Sequence, residues 1–158
     1  LPQGCRLHEL TTHADERGEL TEILRDEWFD APRPLRWHVG RGRAHALRGV
    51  HLQPRSWIYL CVLRGRAAIG LRGAHPPVGS LLEVGDVPRM ALAIPPGVAH
   101  GLYFHTDTLY LRAASDTEAQ SRCRWDSPGL DIPWPCRDPL LDPADAAAGT
   151  YATLAGGA

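Results

Sequence analysis

Leu47-Arg48-Gly49-Val50-His51-Leu52-Gln53 alternates apolar and polar residues and ends against Pro54. Period-two alternation, the β-branched Val50 and the terminating proline predict a strand with one buried face. Strict alternation sets Arg48 on the face opposite His51 and Gln53. The two can serve one pocket only through a bulge, and Gly49 is the residue that tolerates one. Polar side chains on an apolar strand are unfavourable to bury unless they are paired or functional, so Arg48, His51 and Gln53 become candidates for a site.

On either side of this strand the chain breaks into short runs punctuated by its 16 Gly and 14 Pro. Strands are predicted around residues 6–10, 20–24 and 35–39, with a turn at Asp15-Glu16-Arg17-Gly18 between the first two. Residues 57–63 and 67–71 flank Arg64-Gly65-Arg66 and read as a hairpin. Four more strands are expected at 80–84, 90–94, 101–104 and 109–112. Helical periodicity is scarce, and residues 142–148 are the best helix candidate. So many short strands at close spacing argue for a closed or sandwiched antiparallel β fold, and a barrel would also remove exposed edges.

The chain has 158 residues, enough for one domain over 1–158 with a continuous core, and the residues after about 142 are expected to be peripheral. Seventeen basic and 18 acidic residues give a formal charge of -1, so no nucleic-acid partner is indicated. Cys5, Cys61, Cys123 and Cys136 form no CxxC pair, which points to buried free thiols in a cytoplasmic protein. No apolar run approaches the length that spans a bilayer, so no membrane association is expected.

A second chemistry-bearing stretch is Ile94-Pro95-Pro96-Gly97-Val98-Ala99-His100-Gly101, a Pro-Gly turn delivering a histidine. Together with the opening strand it resembles the paired half-motifs of the cupin superfamily, whose histidines face one barrel interior. A metal-binding cupin carries His-x-His and a Glu, whereas this chain has His51-x-Gln53 and no Glu at the corresponding place. Two imidazoles are too few for a divalent ion, so a site free of metal and cofactor is expected.

The third stretch runs from Arg124-Trp125-Asp126 through Pro128, Leu130 and Ile132 to Trp134-Pro135. With Arg48-Gly49-Val50-His51-Leu52-Gln53, Pro96-Gly97-Val98-Ala99-His100-Gly101 and Asp15-x-Arg17-Gly18-x-Leu20-x-Glu22, it resembles the dTDP-4-dehydrorhamnose 3,5-epimerase family. The four matches occur in the family's order and span about Asp15 to Asp138. The resemblance implies an all-β double-stranded β-helix, a cupin or jelly-roll barrel, assembled as a homodimer. It implies inversion of C3, C5 or both of a nucleotide-linked 4-keto-6-deoxyhexose, in deoxysugar biosynthesis. A proton beside a ketone is weakly acidic, and its removal needs a base near neutral pKa, charge stabilisation for the enolate and an acid on the opposite face.

By the same resemblance His51 is the base, Asp138 the carboxylate that orients it and raises its pKa, and Tyr110 the acid. Arg48 and His100 would lie by the diphosphate and the oxyanion, Gln53 in the same polar cluster, and Arg17 and Glu22 would reach the nucleotide from a neighbouring subunit. Three departures accompany these matches. The family's Lys in the strand after His51 falls near Ile58, and the chain contains no Lys. Its Gln-x-Asn-x-Ser becomes His38-Val39-Gly40-Arg41-Gly42, and the Tyr pair after the acid becomes Ser115-Asp116. These departures leave three readings open: an altered or single-carbon epimerase, a catalytically silent sugar-nucleotide-binding cupin, and a metal-dependent cupin using His51, His100 and His38 or His45.

Overall fold

In the computed structural model, which describes residues 1–75, 79–117 and 119–155, twelve strands alternate with short connections. They are β1 (Arg6–Glu9), β2 (Thr12–Asp15), β3 (Gly18–Thr21), β4 (Arg36–Gly42), β5 (Leu47–Leu52), β6 (Ile58–Arg64), β7 (Arg66–Arg72), β8 (Gly79–Gly85), β9 (Met90–Ile94), β10 (Ala99–Phe104), β11 (Thr108–Ala114) and β12 (Ser121–Arg122). Two short helices follow, α1 (Pro143–Ala146) and α2 (Tyr151–Ala155). Ten strands form two antiparallel five-stranded sheets, ordered β1-β9-β6-β11-β4 and β12-β5-β10-β7-β8, while β2 and β3 pair as a separate hairpin. This is the expected all-β jelly-roll architecture. Among the described residues no helix is long and apolar enough to cross a membrane.

The hairpin expected across Arg64-Gly65-Arg66 does not form. β6 and β7 belong to different sheets, and the turn carries the chain from one to the other. The local signal for a turn was sound, but the partner of each strand is set by the layer in which its apolar face can be buried.

The core lies between the sheets, where Ile58, Leu60 and Val62 of β6 meet Ile69 and Leu71 of β7 and Leu102 and Phe104 of β10. Each fully buried side chain of this size contributes about 1.5–3 kcal/mol. The outer faces are covered as well. Phe29 and Leu10 of the N-terminal segment pack on Tyr59 and Cys61, and Leu130, Ile132 and Leu154 pack on Val50, Leu52 and Ala99. That double cover explains why β10 is buried at all six positions and shows no amphipathic alternation.

β5 carries the irregularity that positions the site. His51 pairs with His100 and Arg48 with Leu102, so three steps along β5 match two along β10. The extra residue is a bulge, and it turns Arg48 and His51 toward the same side, as the alternation argument required. Gly49 has φ +128, and a Cβ there would stand 2.8 Å from the Cα of Gly101. Only glycine fits both the conformation and the space.

Candidate active site

At one end of the sandwich the sheets part between the edge strand β4 and strand β5, leaving a cavity of about 460 Å³. Arg48 and His51 of β5 and His100 of β10 line one wall; Arg36 and His38 of β4 and Tyr110 and Arg112 of β11 line the other. Strand periodicity explains the second wall. Tyr110 and Arg112 are two apart on β11, and their register partners on β4 are Gly40 and His38. A Cβ on Gly40 would overlap the Tyr110 ring, so the missing side chain there is what seats the tyrosine. No carboxylate lines the cavity among the described residues, which leaves it rich in cationic and imidazole groups.

His51 is fixed from behind. Its Nε2 lies 3.1 Å from Oδ1 of Asp145, a carboxylate that is only 2 % exposed. Oδ1 also accepts from Nη1 of Arg122 at 3.1 Å, and Oδ2 accepts the Gly49 N–H at 3.0 Å. Because a carboxylate accepts, the hydrogen sits on Nε2, and Nδ1 keeps its lone pair with no partner among the described residues. Burial pushes the His51 pKa below the ordinary 6.5, outweighing the upward pull of Asp145. The expected rise of this pKa is therefore corrected to a fall, and the ring is neutral and able to accept a proton at pH 7.

The carboxylate beside His51 is thus Asp145 and not Asp138, which is exposed. The route of the chain decides this. Leu140 bridges Ala46 in parallel fashion, with Leu47 N donating to Leu140 O at 2.9 Å, so Asp138 lies before the start of β5. Only after several further residues does the chain draw level with Gly49 and His51. There Asp142 caps α1 through the Asp145 N–H, Pro143 opens the helix, and the Asp145 carboxylate turns inward. The segment read as peripheral from the sequence supplies this group. Asp142-Pro143 was a legible helix start, and a carboxylate in its first turn was the available signal.

His100 is 2 % exposed, and its Nδ1 lies 3.3 Å from the carbonyl of Val98. A carbonyl only accepts, so Nδ1 carries the hydrogen, and the buried Nε2 presents an unpartnered lone pair. Burial is the main cause that drives its pKa down to about 3, followed by the Arg112 charge. His100 therefore stays neutral and offers an acceptor, which makes it a poor ligand for an oxyanion.

The remaining expected residues divide. Arg48 lies exposed at the mouth, its Nη2 donating to Arg41 O at 3.3 Å. Gln53 does not line the cavity; it is buried and donates from Nε2 to Oε1 of Gln120, which does. Arg17 grips Asp15 on the β2–β3 turn, and Glu22 is paired with Arg25, both outside the cavity of their own chain. His38 lines the cavity, but His45 bonds the Tyr103 hydroxyl at 3.0 Å and is not among its lining groups. No three of His, Cys, Asp and Glu gather as metal ligands among the described residues.

Arg36, Arg112 and Arg122 were not singled out from the sequence. The i, i+2 step from Tyr110 to Arg112 was a readable signal for one of them. Nε of Arg36 and Nη2 of Arg112 are buried without a hydrogen-bond partner, and neither residue forms an ion pair among the described residues.

A family model described as dTDP-4-dehydrorhamnose 3,5-epimerase matches residues 3–153. No curated protein is a significant match. Among solved structures, the chain resembles NovW of Streptomyces spheroides, a 4-keto-6-deoxy sugar epimerase, at 23% identity and a TM-score of 0.86, over 99% of this chain and 87% of that one. It resembles ChmJ of Streptomyces bikiniensis, a 3'-monoepimerase in complex with dTDP-quinovose, at 24% identity and TM-score 0.82, over 95% and 85% of the two chains. A dTDP-6-deoxy-D-glucose-3,5-epimerase of Legionella pneumophila, in complex with dTDP-4-keto-L-rhamnose, is similar at 24% identity and TM-score 0.83, over 94% and 88%.

Proposed function

Since the chain belongs to the dTDP-4-dehydrorhamnose 3,5-epimerase family, we propose that it is an isomerase inverting C3, C5 or both of a dTDP-linked 4-keto-6-deoxyhexose. One observation carries this reading: His51 is anchored through Nε2 by a buried carboxylate and turns a free Nδ1 into a cavity whose far wall holds Tyr110.

In the reaction, His51 Nδ1 takes the proton from the carbon beside the C4 ketone, and the electron pair moves onto the ketone oxygen. Asp145 stabilises the imidazolium that forms and holds its orientation, as a third group does for any base–orienter pair. Tyr110 then delivers a proton to the opposite face of the carbon, and the enolate collapses back to the ketone with inverted configuration. One proton leaves and one arrives, so the product is an isomer. Arg48 at the mouth suits the diphosphate, because a guanidinium matches phosphate geometry. His100 Nε2 would accept a sugar hydroxyl.

Arg17 and Glu22 sit on an exposed N-terminal segment beside Leu20, which is 74% exposed, and edge strand β4 exposes Val39 at 68%. These surfaces fit a homodimer in which each chain lends its N-terminal segment to its neighbour's nucleotide. The four free cysteines fit a reducing, cytoplasmic setting.

Incubating the protein in heavy water with dTDP-4-keto-6-deoxyglucose tests the reading. Deuterium should enter C3, C5 or both, and His51→Ala should slow that exchange by about 10⁴-fold. Absence of exchange with any dTDP-4-keto sugar would overturn the reading.

A further inference from the structure

Deprotonation beside a ketone places a negative charge on the ketone oxygen, and a buried site must meet that charge with a donor. Neither imidazole of the β5–β10 wall can do so, and His38 on the opposite wall is exposed. His51 spends its hydrogen on Asp145 and is the base, while His100 spends its own on Val98 O and turns a lone pair to the cavity. Ile58, where the resemblance aligns a lysine, is 1% exposed within the apolar core.

Arg112 is placed to meet the charge. It lies two residues from Tyr110 on the same face of β11 and pairs in register with Leu60 of β6 and His38 of β4. Ala114, the next residue on that face, pairs with both Ile58 and Arg36, so Arg112 stands one step along the sheet from the row that holds Ile58. Its Nη2 is buried without a partner, and Arg36 beside it carries a second unpartnered nitrogen. A half-buried cation beside another cation, with no carboxylate lining the cavity among the described residues, is unfavourable in the empty protein and is relieved by an anion. The Arg112 charge lowers the pKa of both His51 and His100, so it is felt at the base.

We propose that Arg112 is the catalytic residue that receives the enolate oxygen, a guanidinium supplied from β11 in a chain without lysine. The proposal rests on the epimerase reading above and names the group that stabilises its intermediate. An electrostatic donor of this kind acts on the developing charge and contributes little to binding the nucleotide, so its loss falls on kcat.

The test compares wild type, Arg112→Met, Arg112→Gln and Arg112→Lys by exchange from heavy water into dTDP-4-keto-6-deoxyglucose, with dTDP binding measured by calorimetry. R112M and R112Q should lower the exchange kcat by about 10²–10³-fold, the size seen when one oxyanion donor is removed. Their affinity for dTDP should stay within about twofold of wild type, and R112K should recover about tenfold or more over R112M. Exchange by R112Q within about threefold of wild type would overturn the assignment. So would a dTDP affinity that weakens in step with exchange, since Arg112 would then be a phosphate ligand. If the wild-type protein itself exchanged nothing, the epimerase reading would fall first, and the two failures are thereby distinguished.

Discussion

On the β5–β10 wall of the cavity, His51 is held by Asp145, which is held in turn by Arg122 and the Gly49 N–H. On the β4–β11 wall, Arg36 and Arg112 face the same space with donors that no described residue receives. On the first wall both imidazoles have spent their hydrogens within the protein and keep only lone pairs free, whereas the second leaves donors for a ligand. A base must be oriented before substrate arrives, so its partners are built in. A group that stabilises a transient charge has to remain unpaired until the charge appears, and the fold bears that strain at the site.

The sharpest way to break this contrast is by stability. Asp145→Ala leaves Arg122, His51 Nε2 and the Gly49 N–H without their acceptor. It should lower unfolding stability by about 3 kcal/mol, the low end for a broken buried pair because Arg122 is 35% exposed. Urea unfolding reads this directly, and a loss below about 1 kcal/mol would mean that the carboxylate does not brace its wall. The opposite wall should respond with the opposite sign. Arg36→Met removes a cation whose Nε is buried and unpartnered, and it should raise stability by about 1 kcal/mol in the same experiment. Destabilisation there would show that Arg36 is structurally committed.

A smaller effect sharpens the contrast through pH. His51 accepts a proton only when neutral, and its pKa is depressed below 6.5 by burial. The acid limb of kcat/KM for exchange should therefore lie below pH 6.5, with activity full above it and lost as pH falls. Asp145 raises this pKa, so Asp145→Asn should move the limb lower still in whatever exchange remains. A wild-type limb at or above pH 6.5 would show that the carboxylate outweighs burial.

Much of the first wall is legible in the sequence. Alternation in residues 47–53, broken by one glycine, was enough to require a bulge and to place Arg48 with His51, because strand faces are set by neighbours two residues apart. The Pro-Gly turn before His100 and the strand bearing Tyr110 were equally local. The expected hairpin at Arg64-Gly65-Arg66 failed where the question became which sheet a strand joins. The choice of Asp138 failed for a related reason, since the bond from His51 to Asp145 spans 94 residues.

The sequence by itself determined an all-β chain, the bulged strand and the histidine that strand carries, each encoded by spacing within a few residues and by the steric latitude of Gly49. Only the tertiary structure decided which carboxylate reaches His51 and which hydrogens the two imidazoles keep. It alone brought Arg36 and Arg112 together, without an ion-pair partner among the described residues. Those outcomes depend on how distant segments are laid side by side and on which groups water can no longer reach, and neither quantity is written in any local stretch of the chain.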